Sequence, residues 1–311
     1  MDLKQLEYII AIADEQSISK AAEKLYMTQS ALNQQLLRLE RELGLLLFHR
    51  IKHSMVPTYA GNVYLEAARR ILGIKEETYK ILSDIADMRK GEISISYTPE
   101  RGSEMFARVY PLFHKKYPEI TFRVIEARSV KMEQLLEQGN VSLALTAHRE
   151  QNPQFEYFPI DEELMVLALP KNHPLASMAG DCSWEEFPHM DLKLLKEDSF
   201  ILLSRETKFR RILDREFIQA GYKPKVLFEA TTTYTAVNMA KSQIGPSFFP
   251  QSYVDPAAPL VYFSIGNRLA WKRSIAYRKG TYLSKAERDF MEYVKRDMLA
   301  AKILTPPAER G

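Results

Sequence analysis

Cysteine is nearly absent from this chain of 311 residues, since only Cys182 is present. A single thiol excludes a disulfide within the chain and a zinc site built on cysteines. The same scarcity is typical of proteins that work in a reducing cytoplasm. We interpret Cys182 as a small, inert residue near a loop.

Long apolar runs are absent as well. No segment approaches 18 continuous apolar residues, so we expect no membrane span. The N-terminus enters an amphipathic pattern without a basic stretch followed by an apolar one, and we expect no secretory signal. Both patterns predict a cytoplasmic location and no membrane partner.

Neither sign of charge is in large excess, because 43 Lys and Arg stand against 40 Asp and Glu, a formal net charge of +3. This balance alone does not indicate nucleic-acid binding, so any DNA-binding surface has to be local. Hydrophobic residues make up 46% of the chain, which is ordinary for folded globular domains. The length predicts two domains or three.

Signatures of catalysis are also missing. Residues 245–249, with the sequence GPSFF, lack the second glycine of a nucleophile elbow. His49 and His53 are four residues apart but fall in a predicted β-ribbon, so we expect no metal site. No glycine-rich phosphate loop occurs. We therefore predict a protein that is not an enzyme and needs no cofactor.

The first 58 residues contain three short helical patterns. Ser17 and Thr28 are suited to cap the second and third helices, and the third runs from about Gln29 to Leu43. Two short helices joined by a tight turn predict a helix-turn-helix. Two extended runs on either side of a basic turn then predict a β-ribbon, or wing.

A long helix is predicted from residue 58 to about residue 88. Its apolar residues are spaced alternately four and three apart, and the positions between them are largely charged or polar. A narrow apolar stripe favours a partner helix, whereas packing on the same domain would need a wider face. The predicted dimerisation residues are Ala67, Ile71, Ile74, Ile81 and Ile85.

From residue 91 onward, predicted strands and helices alternate, which is typical of mostly parallel sheets with helices on both faces. The remaining length is enough for two α/β lobes. We divide the chain into a winged helix-turn-helix domain at 1–58, a linker and dimerisation helix at 59–90, a two-lobed domain at 91–304 and a flexible tail at 305–311.

The first 65 residues closely resemble the LysR-type transcriptional regulators. The resemblance rests on the order and spacing of residues 17–25 (SISKAAEKL), 28–33 (TQSALN), 47–50 (LFHR) and 58–61 (TYAG). The rest of the chain looks like the same family, though less sharply. The resemblance implies an α/β protein with a winged helix-turn-helix, a linker helix and a periplasmic-binding-protein-like effector domain of two lobes.

The third helix is then the expected recognition helix, whose start and outer face meet base edges. Asn and Gln can bond adenine, and Arg can bond guanine or phosphate. The candidate DNA-binding residues are Thr28, Gln29, Ser30, Asn33, Gln34 and Arg38 on this helix, and Arg50, Lys52 and His53 on the wing. The family often has Pro near Ser30 and Ser at Asn33, so the base preference does not carry over.

An effector is expected in the cleft between the lobes, where helix N-termini follow the carboxyl ends of strands. Hydroxyls beside such N-termini suit a small carboxylate, although Ser and Thr at these places are also ordinary helix caps. Arg101 can add a charge-assisted bond unless it pairs with Glu100. The candidate effector-binding residues are Thr98, Arg101, Ser103, Ser129, Thr146, His148, Ser204 and Thr231.

These observations predict a bacterial regulator that binds double-stranded DNA as a homodimer or homotetramer and responds to a small-molecule effector. The resemblance also implies contact with the promoter and with RNA polymerase. Three alternatives stay open, namely a regulator without ligand response, an enzyme with a fused helix-turn-helix, and a solute-binding protein of transport. The missing catalytic signatures argue against the second alternative, and the helix-turn-helix argues against the third.

Overall fold

The computed structural model describes residues 2–51, 54–86, 90–180 and 187–303. The chain divides between Met88 and Arg89 into two compact units. Within the described ranges, no helix is both long and apolar enough to cross a membrane. The predicted tail, 305–311, lies outside the described residues.

The N-terminal unit contains four helices and one β-ribbon. Its elements are α1 (Leu3–Glu15), α2 (Ile18–Lys24), α3 (Gln29–Leu43), β1 (Phe48–Ile51), β2 (Ser54–Pro57) and α4 (Tyr59–Ile85). Each helix begins at a polar residue whose side chain accepts a backbone N–H of the first turn, as helix N-caps do. These caps are Asp2, Ser17, Thr28 and Thr58.

The helix-turn-helix is held by a small apolar core. Leu32, Leu36 and Leu39 on α3 are almost completely buried, and Ala21 on α2 provides the small side chain that lets the two helices approach. Gly61 on α4 lies under the loop before the wing, where an added Cβ would be 2.0 Å from the backbone oxygen of Leu47. Only glycine fits this contact, so the backbone that leads into the wing packs directly against α4.

Helix α4 changes its environment along its length. Near its start, Tyr64, Leu65 and Ala68 are buried in the core of the N-terminal unit. The five predicted dimerisation residues are instead all exposed, with Ile74 64% and Ile85 77% exposed. The chain on its own therefore leaves an apolar stripe on α4 in contact with water.

The C-terminal unit is a continuous sheet of nine strands with helices packed against it. Its elements are β3 (Lys90–Tyr97), α5 (Arg101–Lys116), β4 (Glu119–Glu126), α6 (Ser129–Glu137), β5 (Leu143–His148), β6 (Phe155–Pro170), β7 (Ser199–Leu203), α7 (Lys208–Gln219), β8 (Lys225–Ala230), α8 (Thr233–Lys241), β9 (Ser247–Pro250), β10 (Leu260–Ser264), β11 (Ala270–Arg278) and α9 (Lys285–Ile303). The strand order is β4-β3-β5-β11-β6-β9-β7-β8, and β10 pairs with β6.

The C-terminal unit has two lobes, and each lobe has its own aromatic core. Phe113 on α5 and Phe290 on α9 pack in the first lobe, and Phe200, Phe217 and Phe248 pack in the second. The long strand β6 takes part in both lobes, and β11 pairs beside it. These two strands form the hinge ribbon that joins the lobes.

The sheet is mixed, whereas the alternation of strands and helices predicted mostly parallel sheets. Strands β3, β4 and β5 are parallel neighbours, and so are β7, β8 and β9. The hinge strands β6 and β11 run antiparallel to each other and to their other partners. Hydrophobic periodicity indicates a strand but not its direction, so this difference was invisible in the sequence.

Candidate nucleic-acid interface and ligand cleft

Helix α3 presents a polar face at its N-terminal end. Gln29, Ser30, Gln34 and Arg38 are exposed, while the opposite face of the helix fills the core. The Thr28 hydroxyl accepts the N–H of Ala31 at 3.2 Å. Thr28 thus has a structural task as a cap, and the four exposed side chains are available to a partner.

The wing is tied to α3 through a hydrogen bond between side chains. Arg50 on β1 donates its Nη2 to the Oδ1 of Asn33 on α3 at 2.6 Å. The bond fixes the position of an exposed guanidinium beside the polar face of α3 and orients the Asn33 amide. The other two predicted wing residues, Lys52 and His53, lie outside the described residues.

One acidic residue of α3 points into the core of the N-terminal unit, away from the polar face of the helix. Glu40 is buried, and its Oε1 accepts the backbone N–H groups of Leu47 at 2.7 Å and Phe48 at 3.3 Å. Its carboxylate supports the entry to the wing. The negative charge is therefore used inside the unit and does not lie on the polar face of α3.

A cavity of about 480 Å³ lies between the two lobes of the C-terminal unit. The residues that open four helices line it, because α5, α6, α7 and α8 all begin at its wall. The free backbone N–H groups and the dipole of a helix N-terminus favour negative charge. Four such ends line one cavity, together with the carboxylates of Glu100, Glu104 and Glu206 and the cations of Arg128 and Lys208.

Four of the eight predicted effector-binding residues line this cavity, namely Thr98, Arg101, Thr146 and Thr231. Ser103, His148 and Ser204 are not among the lining residues. Ser103 instead donates its hydroxyl to Glu126 at 2.9 Å, and the carbonyl of Ser204 accepts the Thr207 hydroxyl at 2.8 Å. The side chain of Ser129 lies outside the described part of the chain.

Glu163 on β6 lines the cavity and accepts several hydrogen bonds there. It was not among the site residues predicted from the sequence. Only 3% of its side chain is exposed, and it accepts Arg101 Nη1 at 3.1 Å, Trp271 Nε1 at 3.0 Å and the Ser252 N–H at 3.2 Å. Arg101 therefore pairs with Glu163 and not with its neighbour Glu100. The network joins the first lobe, the hinge ribbon and the second lobe.

A second arginine completes the charge balance of the hinge. Arg273 on β11 pairs with Asp161 on β6, with Nε at 2.6 Å from Oδ1, and its Nε lies 3.9 Å from Glu163. Burial alone would raise the pKa of the Glu163 carboxyl, but Arg101, Arg273 and the hydrogen bonds from Ser252 and Trp271 together hold that pKa below its usual value. Two arginines and two carboxylates thus neutralise one another at the floor of the cavity.

Aromatic rings lie beside this charged floor. The Arg101 guanidinium sits 5.2 Å from the ring centre of Tyr253. Trp271 packs edge to face on Phe209, with ring centres 5.4 Å apart. The cavity therefore offers apolar walls as well as polar groups, as small-molecule sites usually do.

Two polar side chains in the first lobe are buried without a hydrogen-bond partner among the described residues. One is the hydroxyl of Thr146, a residue that is 6% exposed and lines the cavity. The other is the ring of His148, which packs on Tyr157 with ring centres 4.3 Å apart. Burial and the charges of Lys208 and Lys272 lower the pKa of His148, which favours its neutral form.

The chain matches two known family models over most of its length. The model described as "Bacterial regulatory helix-turn-helix protein, lysR family" matches residues 3–62, and the one described as "LysR substrate binding domain" matches residues 86–299. A protein named "Probable RuBisCO transcriptional regulator" from Cyanophora paradoxa is 30% identical over 302 residues, which cover 94% of this chain and 90% of that protein.

Solved structures share the fold at lower sequence identity. A full-length variant of OxyR from Pseudomonas aeruginosa is similar with a TM-score of 0.70 at 20% identity, covering 100% of this chain and 99% of that one. Full-length CbnR complexed with its target DNA has a TM-score of 0.58 at 22% identity, covering 96% and 100%. The effector-binding domain of QuiR in complex with shikimate has a TM-score of 0.54 at 21% identity, covering 69% and 99%.

Proposed function

This chain belongs to the LysR family of bacterial transcriptional regulators, and we propose that it binds operator DNA as a homo-oligomer and changes promoter activity when a small anionic metabolite enters the cleft. The observation that carries the proposal is the polar, exposed N-terminal face of α3 on a helix whose other face is core. A recognition helix needs this division, because one side must be fixed while the other reaches base edges.

DNA recognition is assigned to α3 together with the wing. Gln29, Asn33 and Gln34 supply the amides that read adenine, and Ser30 and Arg38 extend the same face. Arg50 reaches phosphate or a base edge from the position that Asn33 gives it. The N-terminal 58 residues carry seven Lys and Arg and seven Asp and Glu, so hydrogen bonds rather than bulk charge supply most of the selectivity.

Self-association is assigned to the stripe on α4. Ala67, Ile71, Ile74, Ile81 and Ile85 follow the spacing of a coiled-coil seam and are exposed in the single chain. Covering them against a second α4 removes apolar surface from water. Two linked recognition helices then bind two half-sites, which raises the affinity of a nearly neutral DNA-binding unit.

The effector is assigned to the cavity between the lobes, and its acid group to the helix N-termini. Because Arg101 and Arg273 are already neutralised by Glu163 and Asp161, the attraction for an anion comes mainly from the openings of α5, α6, α7 and α8. Thr98, Thr146 and Thr231 supply hydroxyls for the ligand. QuiR, whose domain has the same fold, binds shikimate in the structure named above.

The proposed switch is a change in lobe closure. A ligand that contacts both walls of the cavity favours one angle of the hinge ribbon, and this angle sets the geometry of the oligomer on DNA. The energy involved is a coupling free energy between two sites, typically about 1–3 kcal/mol. Ligand and operator then change each other's affinity by the same factor.

The experiment measures binding of full-length protein to DNA from its own upstream region by fluorescence anisotropy, with scrambled DNA as control. We expect selective binding that is lost in the double variant Gln29→Ala/Asn33→Ala. A thermal-shift screen of metabolites identifies the ligand class, and only cationic or neutral hits would contradict the anion assignment. A ligand that leaves operator affinity unchanged would leave a DNA-binding regulator without ligand response.

A further inference from the structure

The turn of the helix-turn-helix contains an aromatic residue at a position that normally needs glycine. Helix α2 ends with two backbone bonds, from the Met27 N–H to the Ala22 carbonyl at 2.9 Å and from the Tyr26 N–H to the Glu23 carbonyl at 3.1 Å. This pair of bonds defines a Schellman motif with Tyr26 at its left-handed position, where φ is 53°. Glycine is the usual residue there because a Cβ is disfavoured at positive φ.

Folding gives no reason for tyrosine at this position. The side chain of Tyr26 is 97% exposed, so its ring adds nothing to the core. The exposed ring contributes almost nothing to the free energy of folding, and the left-handed backbone at this position counts against it. A side chain that does not serve the fold and stands fully in solvent is available for an intermolecular contact.

Its location points to one partner. Tyr26 lies two residues before Thr28, the cap of α3, and is followed by the exposed Gln29 and Ser30. When the N-terminal end of a recognition helix enters the major groove, the turn before it meets the sugar-phosphate backbone at the edge of that groove. A phenolic hydroxyl is a good donor to a phosphate oxygen, and tyrosine is among the side chains that make such contacts.

We propose that Tyr26 is a further DNA contact of this protein, and that its hydroxyl donates a hydrogen bond to a backbone phosphate beside the recognition helix. The proposal rests on the assignment of α3 to the major groove. The side chain has only two rotatable bonds, so holding it against the backbone costs little conformational entropy. The contact positions α3 and carries no sequence information, since every base pair presents the same phosphate.

The test uses DNA selected from a random pool by the full-length protein, with a scrambled duplex of equal length. Tyr26→Phe removes only the hydroxyl, and Tyr26→Gly removes the side chain and relieves the left-handed backbone. We expect both variants to bind both DNAs about three- to ten-fold more weakly. We expect Tyr26→Gly to raise the midpoint of thermal unfolding by about 4 °C, so that stability and affinity move in opposite directions.

Two controls make the result specific. Gln243 is another exposed residue with a left-handed backbone, at φ 58°, and it lies in the C-terminal unit. Gln243→Gly removes the same kind of backbone strain and should leave DNA affinity unchanged. Salt dependence separates the kinds of contact, because loss of the neutral Tyr26 hydroxyl leaves the slope of affinity against salt unchanged. Arg50→Ala should instead reduce that slope by about one.

Either Tyr26 variant binding like the unchanged protein would overturn the proposal. A loss confined to the selected DNA would also overturn it, because a phosphate contact weakens both duplexes. The variant Gln29→Ala/Asn33→Ala tests the underlying assignment separately. If it still prefers the selected DNA, α3 does not read the bases, whatever the Tyr26 variants do.

Discussion

The Nη2 of Arg50 on the wing lies 2.6 Å from the Oδ1 of Asn33 on α3. The bond crosses 17 residues of sequence and joins the two elements of the proposed DNA interface. It also occupies the amide oxygen of Asn33. We therefore predict that the two side chains contact DNA as one unit rather than as two independent contacts.

Single and double alanine variants of Asn33 and Arg50 should lose DNA affinity in a non-additive way. We expect each single variant to bind about 5- to 50-fold more weakly, because Asn33→Ala also releases the guanidinium that it orients. The double variant should lose less than the sum of the two free-energy changes. Arg215→Ala, which breaks an exposed pair with Glu150 in the C-terminal unit, is the matched control and should bind DNA normally. Strictly additive losses in fluorescence anisotropy would contradict the pairing on DNA.

Charge placed in the α4 stripe should dissociate the oligomer. Ile74→Asp and Ile85→Asp both put a carboxylate into the proposed seam while changing an exposed residue, so helix content should be preserved. Light scattering should then give the mass of a smaller species, and operator affinity should fall as the second half-site is lost. Glu76→Gln lies on the opposite side of α4 from Ile74 and should leave the mass unchanged. Unchanged mass in both aspartate variants would place self-association elsewhere.

The sequence predicted the DNA-binding unit closely because its signals are local. Thr28 was predicted to cap α3, with the helix running from about Gln29 to Leu43, and the structure has the same bounds. The match of the family models confirms the fold class that was expected from residues 17–61. Caps, turns and periodicity each lie within a few residues of one another, so a single sequence displays them.

The floor of the cavity could not be predicted in the same way. Glu163 and Trp271 are separated by 108 residues and meet only because β6 and β11 pair antiparallel. The segment DEELMV at residues 161–166 reads as the charged start of a strand, and nothing local indicates that Glu163 is buried. The one feature of the sequence that could have indicated the burial of Glu163 is its position immediately before a long apolar run. That run belongs to β6, a strand of 16 residues.

Neutralising Glu163 should weaken the fold at pH 7 and strengthen binding of an anionic ligand. Glu163→Gln keeps the shape but leaves Arg101 and Arg273 with one less counter-charge, which should cost about 2–4 kcal/mol of unfolding free energy. The freed Arg101 then becomes available to the acid group of the ligand. Glu197→Gln, which breaks an exposed pair with Lys225, is the control and should not change stability measurably.

The same variant predicts a pH dependence. The folded-state pKa of Glu163 is held below that of the unfolded chain, so its ionised form stabilises the fold above about pH 4.5 and this contribution is lost as the pH falls through the folded pKa. The stability difference between the unchanged protein and Glu163→Gln should therefore be largest at neutral pH and shrink in acid. Urea unfolding at pH 7, 5 and 4 measures it, and a difference that stays constant would contradict the ion-pair account.

The Thr146 hydroxyl offers a prediction in which stability and ligand affinity separate. Thr146→Val keeps the shape of the side chain and removes a buried hydroxyl that has no partner among the described residues, so the unfolding free energy should stay the same or rise by up to about 1 kcal/mol. Ligand affinity, measured with the best hit of the thermal-shift screen, should fall about five- to ten-fold, because the ligand loses a hydrogen-bonding group in the cavity wall. Ser247→Ala is the matched contrast, since its buried hydroxyl donates to the Ile201 carbonyl at 3.0 Å and its removal should destabilise the protein. If Thr146→Val instead loses stability while ligand affinity stays normal, the hydroxyl serves the fold and the cavity binds its ligand through other groups.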